Sequence, residues 1–210
     1  MAKIDYFDEP TRVDFDAPGR RGRKRRATAH RIFKSAIELM QKDGFNGVSI
    51  EQICERANIA RATFFQHFSS KAALMSVFTD LVRQRIEDEL AKELLAPTNQ
   101  LRLIVEHLQQ LTTELGPIAP DLLSAFVTEP GGGFRIDDPE TGMVQLIVGI
   151  VKQGQAEGTI AANWSPEEVA IGLVSAWVGV ARHNVRPPEC WDGAPLGRIL
   201  DLFMSGLTPR

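Results

Sequence analysis

Ala29, Ile32, Phe33, Ala36, Ile37 and Met40 recur at the spacing of one helical face. They predict a first helix, closed by Gly44 as a C-terminal glycine. Ser49 to Gln52 reads as a capping box, the Ser hydroxyl accepting from the Gln52 N–H while the Gln side chain reaches back. It opens a second helix running to about Ala57, with Ile50, Ile53, Cys54 and Ala57 inward. Asn58 stands where a tight turn needs a left-handed residue, which Asn tolerates better than most non-glycines. A third helix spans about Ala60 to Phe68. Ser69 or Ser70 then caps a fourth, which carries Leu74, Val77, Phe78, Leu81, Val82 and Ile86 and fades near Ala96 and Pro97. A helix, a tight turn and a second short helix make a helix-turn-helix. The first and fourth helices supply the apolar faces that close its core.

The helical rhythm continues. A fifth helix is expected over 99–115, with Leu101, Ile104, Leu108 and Leu111 inward, and a short one over 118–127. The stretch 128–142 is a glycine- and proline-rich loop. A seventh helix covers about 142–157 and stops at Gly158. Ser165 and Pro166 open an eighth that reaches about His183, and a ninth covers about 194–207, with Leu196, Ile199, Leu200, Phe203 and Leu207 on one side. The eighth helix has a bulky stripe (Ala170, Leu173, Val174, Trp177, Ala181) and a small one (Gly172, Ser175, Ala176, Gly179). Either both faces serve inside one subunit, or the small face meets a partner subunit beside Ile199 and Phe203 of the ninth helix. No strand pattern competes, so the fold class is all-α with about nine helices.

Charge adds an asymmetry. Residues 1–75 hold 14 Lys and Arg against 9 Asp and Glu, and residues 76–210 hold 10 against 18. The basic residues concentrate in "RRGRKRR", Arg20 to Arg26. A basic end on an acidic chain points to a polyanionic partner or to a solvated tail. Residues 1–22 read as a disordered tail with a basic arm. Cys54 and Cys190 form no CxxC, no apolar run reaches the length of a membrane span, and the N-terminus is no signal peptide. A cytoplasmic protein without membrane association is expected.

The segment "GFNGVSIEQICERANIARATFFQHFSSKAAL" resembles the DNA-binding domain of the TetR family of bacterial transcriptional regulators. The matching features are Gly44-Phe45, Ser49 at the cap, Ile53 to Ala57, Ile59, Arg61, Thr63, His67-Phe68 and Lys71 to Leu74. Three positions depart from the family pattern. Ala60 replaces a common Ser cap, Asn58 replaces a turn glycine, and Phe65 stands where tyrosine is most frequent. The resemblance implies a helix-turn-helix domain over 23–83 (the motif itself at about 48–67) and a ligand-binding and dimerisation domain over 84–210. It implies a homodimer through helices 8 and 9, a near-palindromic double-stranded DNA operator, and a small-molecule effector that alters the spacing of the reading heads.

On that frame the chemistry of the third helix divides. Phe64 and Phe68 share a face and anchor it. Arg61 can bond guanine through two N–H groups, and the methyls of Ala62 and Thr63 can meet a thymine methyl. Gln66, His67 and Lys71 suit phosphates, as do backbone N–H groups at helix starts such as that capped by Ser49. Phe65 has a ring for sugar or methyl contact but no hydroxyl. Arg21 and Arg23, slender and doubly charged around Gly22, suit a narrow minor groove or non-specific phosphate attraction. His107, Phe126, Gln145 and Trp177 are the candidates for an effector cavity, mostly apolar with few polar groups.

Other chemistries lack a signature. The four histidines show no HxxxH or Cys pairing, so neither a metal nor another cofactor is expected. GxSxG, a phosphate-binding glycine loop and HExxH are absent from the sequence, which argues against an enzyme with an accessory DNA-binding head. A ligand-independent regulator or an activator is the nearer alternative to a ligand-released repressor.

Overall fold

The structure is a computed structural model and describes residues 20–128, 142–183 and 195–207. Among these, the regular structure is entirely helical: α1 (Arg20–Asp43), α2 (Ile50–Arg56), α3 (Arg61–His67), α4 (Leu74–Leu90), α5 (Pro97–Leu115), α6 (Ala119–Thr128), α7 (Gly142–Ala156), α8 (Pro166–His183) and α9 (Pro195–Leu207). A single 3-10 turn, Gly116–Ile118, precedes α6. The chain divides into two compact units. Their described residues are 20–84 with 115–128, and 85–114 with 142–183 and 195–207. The single boundary expected between 83 and 84 is thus crossed twice more. The 3-10 turn and α6 belong with the first unit, where the turn packs on α1. Gly116, at φ +57°, allows the chain to turn there at no Cβ cost.

In the first unit, every residue of the predicted α1 stripe is buried. The helix itself begins at Arg20, nine residues before that stripe, so Arg20 to Arg26 are wound into it and do not form an extended arm. Arg and Lys are good helix formers, and a single Gly22 costs about 1 kcal/mol against them. Residues 1–19 lie outside the described part. Gly44 ends α1 with φ +78°, its N–H donating to the Met40 carbonyl at 2.8 Å. Gly47 has a different reason to be glycine: a Cβ there would collide with the Asp43 carbonyl.

The capping box of α2 is formed. The Gln52 N–H donates to Ser49 Oγ at 3.2 Å, and the Ser49 N–H to Gln52 Oε1 at 2.7 Å. Ile53, Cys54 and Ala57 are buried, whereas Ile50 is only half-buried. Asn58 takes φ +50°, its N–H donating to Glu55 O and that of Ile59 to Cys54 O, both at 3.0 Å. These two bonds are the Schellman pattern, with Asn in the place usually held by glycine. Arg56 Nε donates to Glu38 Oε2 at 2.9 Å and ties α2 to α1. Ala60 precedes α3 in extended conformation without a side-chain cap. Ser70 Oγ accepts from the Ala73 N–H at 3.2 Å just ahead of α4.

In the second unit, α7 lies along α8 and α9 packs on α8. The bulky stripe of α8 is buried as predicted. A second capping box starts α8: the Glu168 N–H donates to Ser165 Oγ at 3.1 Å, and the Ser165 N–H to Glu168 Oε2 at 2.8 Å. Gly158, at φ +71°, closes the turn after α7. Trp177 Nε1 donates to Thr112 Oγ1 at 3.0 Å, joining α8 to α5. Arg102 pairs with Asp201 at 3.0 Å, joining α5 to α9.

Candidate nucleic-acid interface

The seven residues of α3 divide as their chemistry predicts. Phe64 is fully buried, and Phe68 just after the helix is nearly so, with ring centroids 5.6 Å apart. Arg61, Ala62, Phe65 and Gln66 are exposed, and Thr63 and His67 are half-buried. Phe65 is 46% exposed and meets Phe64 edge to face at 5.5 Å. An exposed aromatic on a short polar helix face is a group without an apolar task inside the unit. Its ring nonetheless rests on a fully buried neighbour.

Arg61 has two neighbours. Its Nη1 lies 2.7 Å from Glu51 Oε1 on α2, and its guanidinium carbon lies 5.6 Å from the centre of the Phe65 ring. Both ionic side chains remain more than half exposed. Ser49 is exposed, its hydroxyl and backbone N–H both engaged in the capping box.

A cleft of about 430 Å³ runs between α1 and α3, lined by Lys24, Arg25, Thr28, Thr63, Gln66 and His67. It brings two cationic side chains of α1 to the polar side of α3. Lys24, Arg25 and Thr28 were not singled out by the sequence pattern; the signal was present in "RRGRKRR", read there as an arm. Because the run is helical, it has a face. Burial, and then the positive Arg25 nearby, lower the pKa of His67 from its ordinary value. Both effects favour its neutral imidazole. The side chains of Arg21 and Arg23 lie outside the described residues.

Lys71, expected as a phosphate contact, has its ammonium among groups of its own domain. Its ammonium donates to Phe45 O at 2.6 Å and to Val48 O at 2.7 Å, and sits 4.3 Å from the centre of the Phe45 ring. The side chain is half-buried. A cation with two carbonyls and an aromatic face has its charge taken up inside the domain. Lys71 closes the loop between α1 and α2.

The four candidate effector residues are not equivalent. His107 is fully buried on α5, its Nε2 3.3 Å from Glu89 Oε2, and Trp177 is buried against Thr112. Phe126 is buried in α6, a helix of the first unit. Gln145 is exposed on α7, one step off the stripe formed by Met143, Val144, Ile147, Ile150 and Val151. The structure places His107 and Trp177 in the interior of one unit and does not bring Gln145 to them.

The small stripe of α8 also divides. A Cβ at Gly172 would stand 3.0 Å from the Phe203 ring, so this glycine admits α9 within the same chain. Gly179 has open space where its Cβ would be, Ser175 is exposed, and Ala176 is half-buried. Ile199 and Phe203 are half-buried, while Leu202, unremarked in the sequence pattern, is 71% exposed. Trp164, Glu168, Val169, Leu202, Phe203 and Gly206 line an apolar groove of about 440 Å³. Among the described residues no helix is long and apolar enough to cross a membrane, and no three His, Cys, Asp or Glu side chains gather to hold a metal ion.

The chain is similar to known regulatory proteins. Residues 32–77 match the family described as bacterial regulatory proteins, tetR family. The HTH-type transcriptional regulator TcmR of Streptomyces glaucescens is 39% identical over 61 residues, which is 29% of this chain and 27% of that one. The chain thus matches about a quarter of that relative's length. An uncharacterized HTH-type transcriptional regulator of Bacillus subtilis, YvkB, is 28% identical over 194 residues, covering 87% of this chain and 98% of its own. Among solved structures, the Thermus thermophilus FadR, a TetR family transcriptional repressor in complex with lauroyl-CoA, shares the fold. Its TM-score is 0.59 at 22% identity, over 87% of this chain and 96% of its own.

Proposed function

The chain belongs to the TetR family of bacterial regulatory proteins, and from that premise we propose that it is a sequence-specific, DNA-binding transcription regulator acting as a homodimer. Residues 23–83 are its DNA-binding domain, with the 3-10 turn and α6 packed into the same unit, and the rest of residues 84–210 carries effector binding and dimerisation. The observation that carries the reading is the division of α3: Phe64 and Phe68 are locked in the core while Arg61, Ala62, Phe65 and Gln66 stand outside. A helix so fixed presents its outer face in one orientation, and Arg61 has the donors to read guanine in the major groove. Lys24, Arg25 and Thr28 join Gln66 and His67 as phosphate contacts, which position the helix without reading sequence.

The second unit supports the rest. The apolar groove around Leu202 offers a face to a second copy. Two such copies meet half-sites about one helical turn, roughly 34 Å, apart. His107, fully buried in an apolar helical unit with the Glu89 carboxylate 3.3 Å away, is the polar group best suited to orient a small-molecule effector. An effector that changes the half-site spacing releases the operator, which makes the regulator a repressor. Footprinting on the DNA flanking the protein's own gene tests the reading. Two protected half-sites one turn apart are expected, and the absence of any protected segment contradicts it.

A further inference from the structure

Arg61 is the residue with the strongest base-reading chemistry on α3, and its guanidinium is held between a carboxylate and a ring. Glu51, in the first turn of α2, accepts from Nη1 at 2.7 Å, and the Phe65 ring lies 5.6 Å away. Phe65 is fixed edge to face on the buried Phe64. We propose that Glu51 is a positioning residue that restricts Arg61 to a base edge and keeps it from DNA phosphates, so that specificity depends on a side chain of α2 that need touch no base. The inference rests on the reading of α3 as the DNA-contacting helix.

The physical reason is competition. A free arginine on a DNA-binding surface is attracted to any phosphate, and such contacts add affinity without sequence information. A phosphate must displace the Glu51 carboxylate and also meets its repulsion. Guanine O6 and N7 are uncharged acceptors and are not repelled in this way. The guanidinium has five N–H donors, so giving one direction to Glu51 leaves others for a bidentate guanine contact. Holding the chain also removes rotamer freedom before binding, which lowers the entropy lost on DNA. Because both side chains are more than half exposed, the pair is a modest restraint. The effect to look for is about two- to fivefold, as expected for an exposed pair.

The test compares full-length wild type, Glu51→Ala, Arg61→Ala and the double variant. Each is titrated onto the duplex that wild type selects and onto a scrambled duplex, at several salt concentrations. Glu51 is exposed and alanine is a strong helix former, so the variant folds; a thermal melt monitors this. Glu51→Ala is expected to lower the ratio of selected to scrambled affinity about two- to fivefold. It is also expected to steepen the salt dependence on scrambled DNA by about one phosphate contact per subunit. The double variant should behave as Arg61→Ala alone. An unchanged ratio and salt slope in Glu51→Ala, or full additivity of the two substitutions, overturns the assignment of Glu51 while leaving α3 as the reading helix. A wild type with no preference between the duplexes overturns the parent reading, and the inference with it.

Discussion

Lys71 Nζ lies 2.6 Å from the carbonyl oxygen of Phe45 and stacks over the ring of the same residue. A second carbonyl, that of Val48, lies 2.7 Å away. One cation therefore closes the loop that sets α2 against α1. Lys71→Ala is expected to destabilise the chain by about 1–3 kcal/mol, since it strands part-buried carbonyls and removes a cation–π contact. Urea denaturation checks this. Its salt dependence of DNA binding should stay that of wild type; a slope reduced by one contact would return Lys71 to the phosphates.

Ala60 precedes α3 in the extended conformation that a capping residue adopts, but offers no side-chain acceptor. Ala60→Ser supplies one. Thermal or urea unfolding should show a gain of about 1 kcal/mol. Because Ala60 is exposed, no packing is disturbed.

His67 gives the first unit a pH dependence. Burial and Arg25 hold its folded pKa below the ordinary value of 6.5. The unfolded chain therefore takes up the proton first. The associated stability is fully present above about pH 6.5 and is lost as the pH falls from there toward the lower folded value. His67→Gln removes the contribution. Urea midpoints of wild type and variant should differ less at pH 5.5 than at pH 7.5, corrected for any constant offset; a pH-independent difference would contradict the sign.

Leu202 is 71% exposed on α9 and borders the apolar groove. Leu202→Glu places a charge there without burying it in the monomer. Light scattering should then report about 23.3 kDa, the mass of one chain, where wild type gives twice that. The melting of the isolated chain should be little changed.

What could be read from the sequence follows a physical line. The α1 stripe, the Ser49–Gln52 capping box and the left-handed Asn58 depend on residues within one or two turns of each other, and periodicity or spacing expresses them directly. The carbonyls that bind Lys71 lie 23 and 26 residues away, so its sequence shows only an exposed-looking charge. Gly172 looks like any small residue until Phe203 of α9 is set against it. Gly47 is fixed by the Asp43 carbonyl, a backbone atom with no side-chain signature. The basic run showed its charge but not its helical phase, so the partnership of Lys24, Arg25 and Thr28 with α3 was hidden. Gln145 was chosen for its chemistry, and the register of α7 leaves it outside.

On the proposed function, α3 reads DNA through Arg61 while Phe64 and Phe68 hold the helix in the core. Selection from a randomised duplex pool, run in parallel with wild type and Arg61→Ala, tests it most directly. Wild type should enrich a two-fold-related motif with a guanine at matching positions of both half-sites. The variant should keep the symmetry and lose that preference, at a cost of about 1–3 kcal/mol in discrimination. No enrichment by wild type, or the same guanine preference in both profiles, would contradict the account.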